Sequence, residues 1–338
     1  MKKKIENYEY FKIIYENCNN NDDFINFIKC EYERLNKLDI TLLKSDTNNK
    51  DILFQNNIYD DNENSEIIEK LKNNSLTTIR LGNVESEFLI KYMTSIKLPG
   101  DYNSKFEIDY KMRTNAGLYY KNSEDRKDVL KWYVDNFLEL VKNDEVVLTS
   151  CYAFLKWDLI LYSHLNISNK KLYNWELFTK VLLTNIDYKK ILVISNAVDI
   201  LKKSFDRNLQ TVYKITLSQI DSINYIKTPQ TTIGSEYIDD NIMITCDNIY
   251  NQIKLYDFDI VLLACGAYGC PISNFINKNY SSKSVIYLGS LIYTIFGIYS
   301  NGIPIPNYDF IHKDKFIEIE EKCPEHCKNI DQGKYWKV

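Results

Sequence analysis

The sequence lacks an excess of positive charge. Its 42 lysine and arginine residues are outnumbered by 46 aspartate and glutamate residues, which gives a net charge of −4. The two signs are interspersed along the chain. Binding to nucleic acid depends on clustered basic side chains that neutralise phosphates. We therefore expect no nucleic-acid partner.

Histidine is scarce as well, with three residues in the whole chain. Neither His164, His312 nor His326 adjoins a serine or cysteine nucleophile motif, which argues against nucleophilic catalysis driven by histidine. The segment Cys323-Pro-Glu-His-Cys327 holds three ligand types that zinc accepts. A closed zinc site needs four ligands, and no second cluster accompanies this one, so we expect no zinc there.

Long apolar runs are missing too. The most apolar stretch, Ser284 to Tyr299, is short and is interrupted by Gly289 and Gly297, so it predicts a strand, a turn and a buried helix instead of a membrane span. The basic start of the chain is not followed by the apolar segment of a secretory signal. The eight cysteines show no disulfide-framework spacing. These features predict a cytoplasmic protein with reduced cysteines and no transmembrane segment.

Glycine is also infrequent, with 10 residues, yet it follows two short apolar runs. The segment Asp259 to Cys265 predicts a buried parallel strand, and Gly266-Ala-Tyr-Gly269 then turns into a helix whose first turn can bind phosphate. A second strand, Ser284 to Leu288, ends at Gly289. The pattern G-x-G-x-x-G is incomplete, which argues against a dinucleotide site. Asp259 lies at the opposite end of its strand and is expected to be structural.

From about residue 66 onward, short apolar runs alternate with helical patterns. This alternation predicts an α/β domain, with a Rossmann-like, doubly wound and mostly parallel sheet, over residues 66–338 including the C-terminal tail. Residues 1–65 are predicted to be an N-terminal helical extension whose last part, residues 44–64, is a polar linker. The predicted strands are Leu76–Arg80, Val146–Ser150, Lys190–Ser195, Thr211–Thr216, Asp259–Cys265 and Ser284–Leu288.

The first predicted strand runs into a helix and places Arg80, Asn83, Glu85 and Glu87 around the turn. Ligands of open α/β sheets bind at the carboxyl ends of strands. Asn83 and Glu85 offer oxygen ligands that suit magnesium or manganese, together with substrate phosphates. Alternatively, Asn83 caps the helix and Glu85 complements its dipole, and the spacing alone favours this second interpretation.

Two other turns carry polar groups. The loop Lys111 to Tyr120 contains Arg113, Asn115 and Gly117, and arginine, asparagine and tyrosine suit sugar hydroxyls and phosphates. An ordinary turn explains that loop equally well. Ser195-Asn196 ends a strand, where it either caps the next helix or binds a phosphate or a ribose hydroxyl.

Four blocks in this order resemble the GT-D-fold glycosyltransferases and related bacterial and viral proteins. The resemblance covers the chain from about residue 75 to its end, and its most specific element is the Cys-Gly-Ala-Tyr-Gly block. The matching segments are Arg80–Glu85, Asn115–Gly117, Lys190–Arg207, Phe258–Pro271 with Tyr287–Gly289 and Phe296–Ile298, and the ending Asn329–Trp336.

The resemblance implies an enzyme that moves a sugar from a nucleotide-diphosphate donor to an acceptor glycan. In that family an Asp-x-Glu motif holds a divalent metal on the donor diphosphate. Glu85 matches the glutamate, whereas Asn83 stands where aspartate is expected, so manganese or magnesium should bind weakly or be dispensable. The implied donor-binding residues are Gly82, Asn115, Gly117, Ser195, Asn196, Gly266, Ala267, Tyr268, Gly269 and Gly289.

The hypothesis built on this resemblance assigns catalytic roles to Arg80, Arg113, Glu85 and Glu87. The two arginines would offset negative charge on the leaving diphosphate, and Glu87 would take the acceptor proton if the reaction inverts. Two alternatives stay open because the fold does not fix the function. One is a non-catalytic protein that binds glycans or nucleotides, and the other is a transferase that depends on another nucleotide or on S-adenosylmethionine. The sequence also leaves room for a homo-oligomer.

Overall fold

The computed structural model describes residues 61–94, 109–150, 158, 161, 165, 172–174, 178–207, 209–232, 235–300 and 302–319. Most of the predicted N-terminal extension lies outside these ranges, as does the tail from residue 320 with its Cys323–Cys327 segment. Helix α1 begins at Asp61, so the end of the predicted polar linker forms its first turn instead of a loop.

A parallel sheet of seven strands forms the centre of the described chain. The strands are β1 (Thr77–Arg80), β2 (Val146–Ser150), β3 (Leu172–Asn174), β4 (Lys190–Ser195), β5 (Ser222–Lys227), β6 (Ile260–Ala264) and β7 (Ser284–Tyr287). Their order is β3-β2-β1-β7-β6-β4-β5, and every pairing in this sheet is parallel. A two-stranded parallel ladder joins β8 (Ile298–Tyr299) to β9 (Ile317–Glu318).

Helices cover both faces of this sheet. They are α1 (Asp61–Lys72), α2 (Asn83–Thr94), α3 (Arg126–Lys142), α4 (Phe178–Thr184), α5 (Val198–Phe205), α6 (Ile242–Ile253), α7 (Gly269–Asn279) and α8 (Leu291–Ile295). Apolar side chains of α2, α3, α6 and α7 share one core, and those of α1, α4, α5 and α8 share the other. The predicted Rossmann-like α/β fold is therefore confirmed.

Strand β4 shows why the sequence produces this layering. Ile191 and Val193 pack into the core with α1, whereas Leu192 and Ile194 pack into the core with α3. All four side chains are buried, because successive strand residues point to opposite faces and both faces are covered.

Asp259 has the structural role that its position predicts. Its carboxylate accepts hydrogen bonds from the Lys190 backbone N–H at 2.9 Å and from the Asn74 amide at 3.3 Å. It therefore ties the amino ends of neighbouring strands together, at the edge of the sheet opposite the one where ligands of such folds bind.

The predicted strand Thr211–Thr216 is wrong. A 3₁₀ turn occupies Leu209–Val212, and the edge strand is β5, eleven residues further along the chain than the predicted start. The Tyr213 hydroxyl donates to the carbonyls of Thr294 at 2.5 Å and Ile295 at 3.0 Å, which anchors the segment to α8 instead of the sheet. Alternation of apolar and polar residues cannot distinguish such a tertiary anchor from a strand.

The apolar stretch Ser284–Tyr299 folds as predicted into strand β7, a turn at Gly289 and the buried helix α8. Within the described part of the chain, no helix is long and apolar enough to cross a membrane.

Helices that follow neighbouring strands lie on opposite faces of the sheet, and this arrangement distinguishes one edge of the sheet, where the strands end. Strand β1 leads into α2 on one face, whereas its neighbour β7 leads into α8 on the other face. Strand β4 leads into α5, whereas its neighbour β6 leads into α7 on the opposite face. Neighbouring strands whose connections diverge in this way leave a crevice at their carboxyl ends. Two crevices of this kind lie between β1 and β7 and between β6 and β4.

Replacing Leu263 by alanine should reveal how strongly the central strand stabilises the fold. Leu263 of β6 is 0% exposed, so truncation removes buried apolar surface and leaves a cavity. We expect a loss of about 2–5 kcal/mol in the free energy of unfolding, measured with urea. Leu255→Ala is the matched control, because Leu255 is 81% exposed, and it should change stability by less than about 0.5 kcal/mol. Equal losses in both variants would contradict the assignment of the core.

Candidate functional site

A cleft of about 580 Å³ lies over the carboxyl ends of the strands and includes both crevices. Its volume falls in the range of about 300–1,000 Å³ that is typical of small-molecule sites. The described residues that line it lie at or just after the carboxyl ends of β1 (Arg80, Gly82, Asn83, Val84, Glu85), β7 (Tyr287, Gly289, Ser290), β6 (Ala264, Cys265, Gly266, Tyr268), β4 (Asn196) and β5 (Thr228 to Thr232), with Asn115–Gly117, Leu291, Tyr293, Thr294, Gly302–Pro304 and Pro306.

Arg80 brings a buried positive charge to the cleft. It ends β1, and only 8% of its surface is exposed. Its guanidinium lies against Gly289, where a Cβ atom would overlap Nη1. Gly289 also has a φ of +53°, in the left-handed region that favours glycine. The turn after β7 therefore needs glycine both for its backbone conformation and to accommodate the arginine.

Glu85 brings a carboxylate to the same end of the cleft. It lies in the first turn of α2 and is 7% exposed. Its side chain folds back over the β1–α2 turn, so that a Cβ atom at Gly82 would overlap Oε2. Asn83 lines the cleft beside it. Within the described residues, no group of three or more His, Cys, Asp or Glu side chains could hold a metal ion.

The turn after β6 is a 3₁₀ turn, Gly266–Tyr268, that continues into α7. Gly266 has a φ of +56°, and a Cβ atom there would overlap the carbonyl oxygen of Ala116. The Asn115–Gly117 loop thus packs directly on this turn. The N–H groups of Tyr268 and Gly269 donate within the turn, to Cys265 and Gly266. These two donors, which the sequence assigned to phosphate, are therefore already used.

Tyr287, the last residue of β7, connects that strand to the turn after β6. Its hydroxyl donates to the Gly266 carbonyl at 2.8 Å, and its ring covers Gly269. Burial raises the pKa of the Tyr287 hydroxyl well above its ordinary value, and the Glu85 carboxylate adds to the rise whereas the Arg80 guanidinium opposes it. The hydroxyl therefore stays protonated at neutral pH and remains a hydrogen-bond donor.

No protein-family model, curated protein or solved structure matches this chain. Many of the residues predicted from the sequence meet in the cleft although they are distant along the chain. They are Arg80, Gly82, Asn83, Glu85, Asn115, Gly117, Asn196, Gly266, Tyr268 and Gly289.

Two predicted catalytic residues lie elsewhere. Glu87 is not among the residues that line the cleft, and its carboxylate pairs with Lys91 at 3.0 Å and Lys111 at 2.9 Å. Residues two apart on a helix point in different directions, so Glu85 and Glu87 cannot serve one site together. Arg113 also lies outside the lining. Its guanidinium donates to the Tyr120 hydroxyl at 3.2 Å and stacks 4.6 Å from the centre of that ring.

Three predicted donor-binding residues are buried beneath the cleft. Ala267 is 0% exposed, and Gly269 is covered by Tyr287. Ser195 is 0% exposed, and its hydroxyl accepts a hydrogen bond from the Ala197 N–H at 3.1 Å. Helix α5 has no side-chain cap, so the capping role predicted for Ser195-Asn196 is wrong.

Sequence reasoning missed the wall that follows β5, from Thr228 to Thr232. It also missed Tyr287, Tyr293 and the segment Gly302–Pro304. A signal for the wall existed, because the alternating run Ser222–Lys227 ends at a polar segment that contains Pro229. Apolar and polar residues alternate more strongly at Thr211–Thr216, and the strand was therefore predicted there instead of at Ser222–Lys227.

Gly289→Ala should displace Arg80, because the new methyl group would occupy the position of the guanidinium. Gly297→Ala is the matched control: it has a similar φ of +65° but does not line the cleft. Both variants should lose about 1–2 kcal/mol of unfolding free energy through backbone strain. Only Gly289→Ala should also bind inorganic pyrophosphate about tenfold more weakly in calorimetry, since a charge-assisted hydrogen bond is lost. An equal loss of affinity in both would show that Arg80 does not bind the anion.

Proposed function

We propose that the cleft binds a nucleotide-diphosphate sugar and transfers its sugar to an acceptor glycan. The observation that carries this proposal is the meeting of Arg80, Glu85 and the Gly266 turn in one cleft above two strand crevices. A buried cation and a carboxylate beside a crevice at the strand ends suit a ligand with a diphosphate and a reacting sugar.

The reaction places clear demands on these groups. The bond between the anomeric carbon and the diphosphate oxygen breaks, a bond from that carbon to the acceptor oxygen forms, and the acceptor hydroxyl loses its proton. Negative charge grows on the leaving diphosphate, and Arg80 offers a fixed positive charge for it. Preorganised charge of this kind is commonly the largest contribution to catalysis.

Glu85 is the carboxylate assigned to the acceptor proton. Among the described residues that line the cleft, no other side chain is a carboxylate, and the lysine pairs of Glu87 hold that group elsewhere. If a divalent cation takes part, Asn83 and Glu85 would hold it against the diphosphate, where it would add positive charge. Two protein oxygens are few for such an ion, so the diphosphate would have to supply further ligands.

Calorimetric titration tests donor binding directly. Uridine, guanosine and thymidine diphosphates should be titrated with and without manganese, and at least one should bind. Arg80→Gln should weaken that binding about tenfold, because a charge-assisted contact to phosphate is lost. Arg207→Gln is the matched control, since Arg207 is exposed and lies outside the cleft lining.

Further titrations with S-adenosylmethionine and with nucleotide sugars, together with a turnover assay, separate the proposal from its alternatives. Failure of all three nucleotides to bind, in both conditions, would overturn the donor site. Binding of S-adenosylmethionine in their place would indicate another transferase. Binding of a nucleotide sugar without any turnover would indicate a non-catalytic binding protein.

Glu85→Gln separates a proton acceptor from a metal ligand. If Glu85 takes the proton, donor affinity should stay within about twofold, while release of nucleoside diphosphate from a panel of nucleotide sugars falls roughly 10²–10⁴-fold. If Glu85 instead holds a metal, the loss should appear first in donor affinity, and only in the presence of manganese. Glu87→Gln is the control: it should lower stability by breaking two ion pairs but leave turnover nearly unchanged.

A further inference from the structure

The charges of the cleft are confined to one end. Among the described residues that line it, Arg80 and Glu85 alone carry charged side chains, and both belong to the β1–α2 turn. The opposite end is formed by Asn196 after β4 and by Thr228-Pro-Gln-Thr-Thr232 after β5, which hold only neutral amides, hydroxyls and a proline. A ligand that spans the cleft therefore meets two chemically different environments.

The two ends are far enough apart to bind different parts of one molecule. The strand ends beneath the cleft follow the order β1, β7, β6, β4, β5. With neighbouring strands about 4.8 Å apart, the four steps span about 19 Å. This length suits a ligand of several linked units, such as a sugar, a diphosphate and a nucleoside in line.

Thr228 holds an unused hydroxyl at the neutral end. The residue is 2% exposed, lines the cleft, and has no hydrogen-bond partner for Oγ1 among the described residues. Its backbone N–H donates to the Ser195 carbonyl at 3.1 Å, so the residue is fixed by the β4–β5 ladder. A buried hydroxyl without a partner destabilises the protein unless a bound ligand satisfies it.

The neighbouring side chains form a connected polar wall. The Asn196 side-chain amide donates to Oε1 of Gln230, and the Gln230 side-chain amide donates to the Thr232 hydroxyl at 3.2 Å. Thr231 fixes the backbone behind them: its hydroxyl donates to the Gly117 carbonyl at 2.7 Å and accepts from the Tyr268 hydroxyl at 3.0 Å. The wall is thus held to the two loops that form the floor of the cleft, and it is preorganised for binding.

We propose that this wall, Thr228 to Thr232 with Asn196, binds the nucleoside part of the donor and thereby sets the direction in which the donor lies. The inference rests on the proposed function. The bond that breaks joins the sugar to the diphosphate, so the sugar and diphosphate belong beside Arg80 and Glu85. The nucleoside then extends to the neutral end, where amides and hydroxyls match the uncharged edges of a base and the hydroxyls of ribose.

Thr228→Val tests the inference with a change of nearly equal shape. The variant should bind the preferred nucleoside diphosphate about tenfold more weakly, because one buried hydrogen bond to the ligand is lost. It should bind inorganic pyrophosphate as the wild type does. Its melting temperature should not fall, since the hydroxyl has no partner to lose in the free protein. Thr228→Ser should restore nucleotide affinity, and Gln230→Ala, at a half-buried position, should weaken nucleotide but not pyrophosphate.

The other possible results distinguish the role of the wall from the proposed function. Equal weakening of nucleotide and pyrophosphate in Thr228→Val, or no weakening of either, would overturn the assignment of the wall while leaving the donor proposal intact. Wild-type protein that binds uridine, guanosine or thymidine, with a loss in Thr228→Val, but binds no diphosphate would support the wall and overturn the proposed function. Wild-type protein that binds none of the nucleosides, nucleotides or pyrophosphate would overturn both.

Discussion

Burial of the sheet on both faces is the constraint on which the rest of this structure depends. Strands such as β4 and β6 carry only apolar side chains in their interiors, because helices cover them on either side. Polar chemistry is thereby excluded from the strands themselves and concentrated where they end. The opposite crossovers of β1 and β7, and of β4 and β6, then open two crevices at a single edge. The position of the cleft follows from how the chain satisfies its core.

At that edge, glycines, which have no side chain, are as important to the arrangement of the site as the functional groups are. Gly82 makes room for the Glu85 carboxylate, Gly289 for the Arg80 guanidinium and Gly266 for the Ala116 carbonyl. A chain with only 10 glycines uses two of these three, Gly266 and Gly289, to bring turns from distant parts of the sequence into contact. Because charged groups held in this way need no further ordering when a ligand binds, they act on it more strongly than mobile surface charges would.

The sequence was informative wherever local pattern and tertiary environment agree. Continuous apolar runs in a doubly covered sheet have no competing explanation, so β2 and β4 could be bounded correctly from Val146 and Lys190 onward. The strand predicted at Thr211–Thr216 is wrong because the Tyr213 hydroxyl is hydrogen-bonded to α8, which holds the segment away from the sheet. Because the edge strand was predicted in the wrong place, the wall that follows β5 was not predicted either. Spacing places Lys91 one helical turn from Glu87, but it could not show the second partner, Lys111, which lies 24 residues away.

Because the charged side chains lie at one end of the cleft, asparagine at position 83 does more than remove a metal ligand. It also limits the number of carboxylates at that end. An aspartate there would place a second carboxylate beside Glu85 in a half-enclosed site, and two like charges at such close range disfavour each other unless a cation lies between them. With asparagine, the described lining holds one cation and one carboxylate, which balance without a bound metal. A donor diphosphate would then be the second anion to enter this end, and Arg80 the group that must attract it. Under the proposed function, donor binding at this site would therefore depend on Arg80 more than on Asn83.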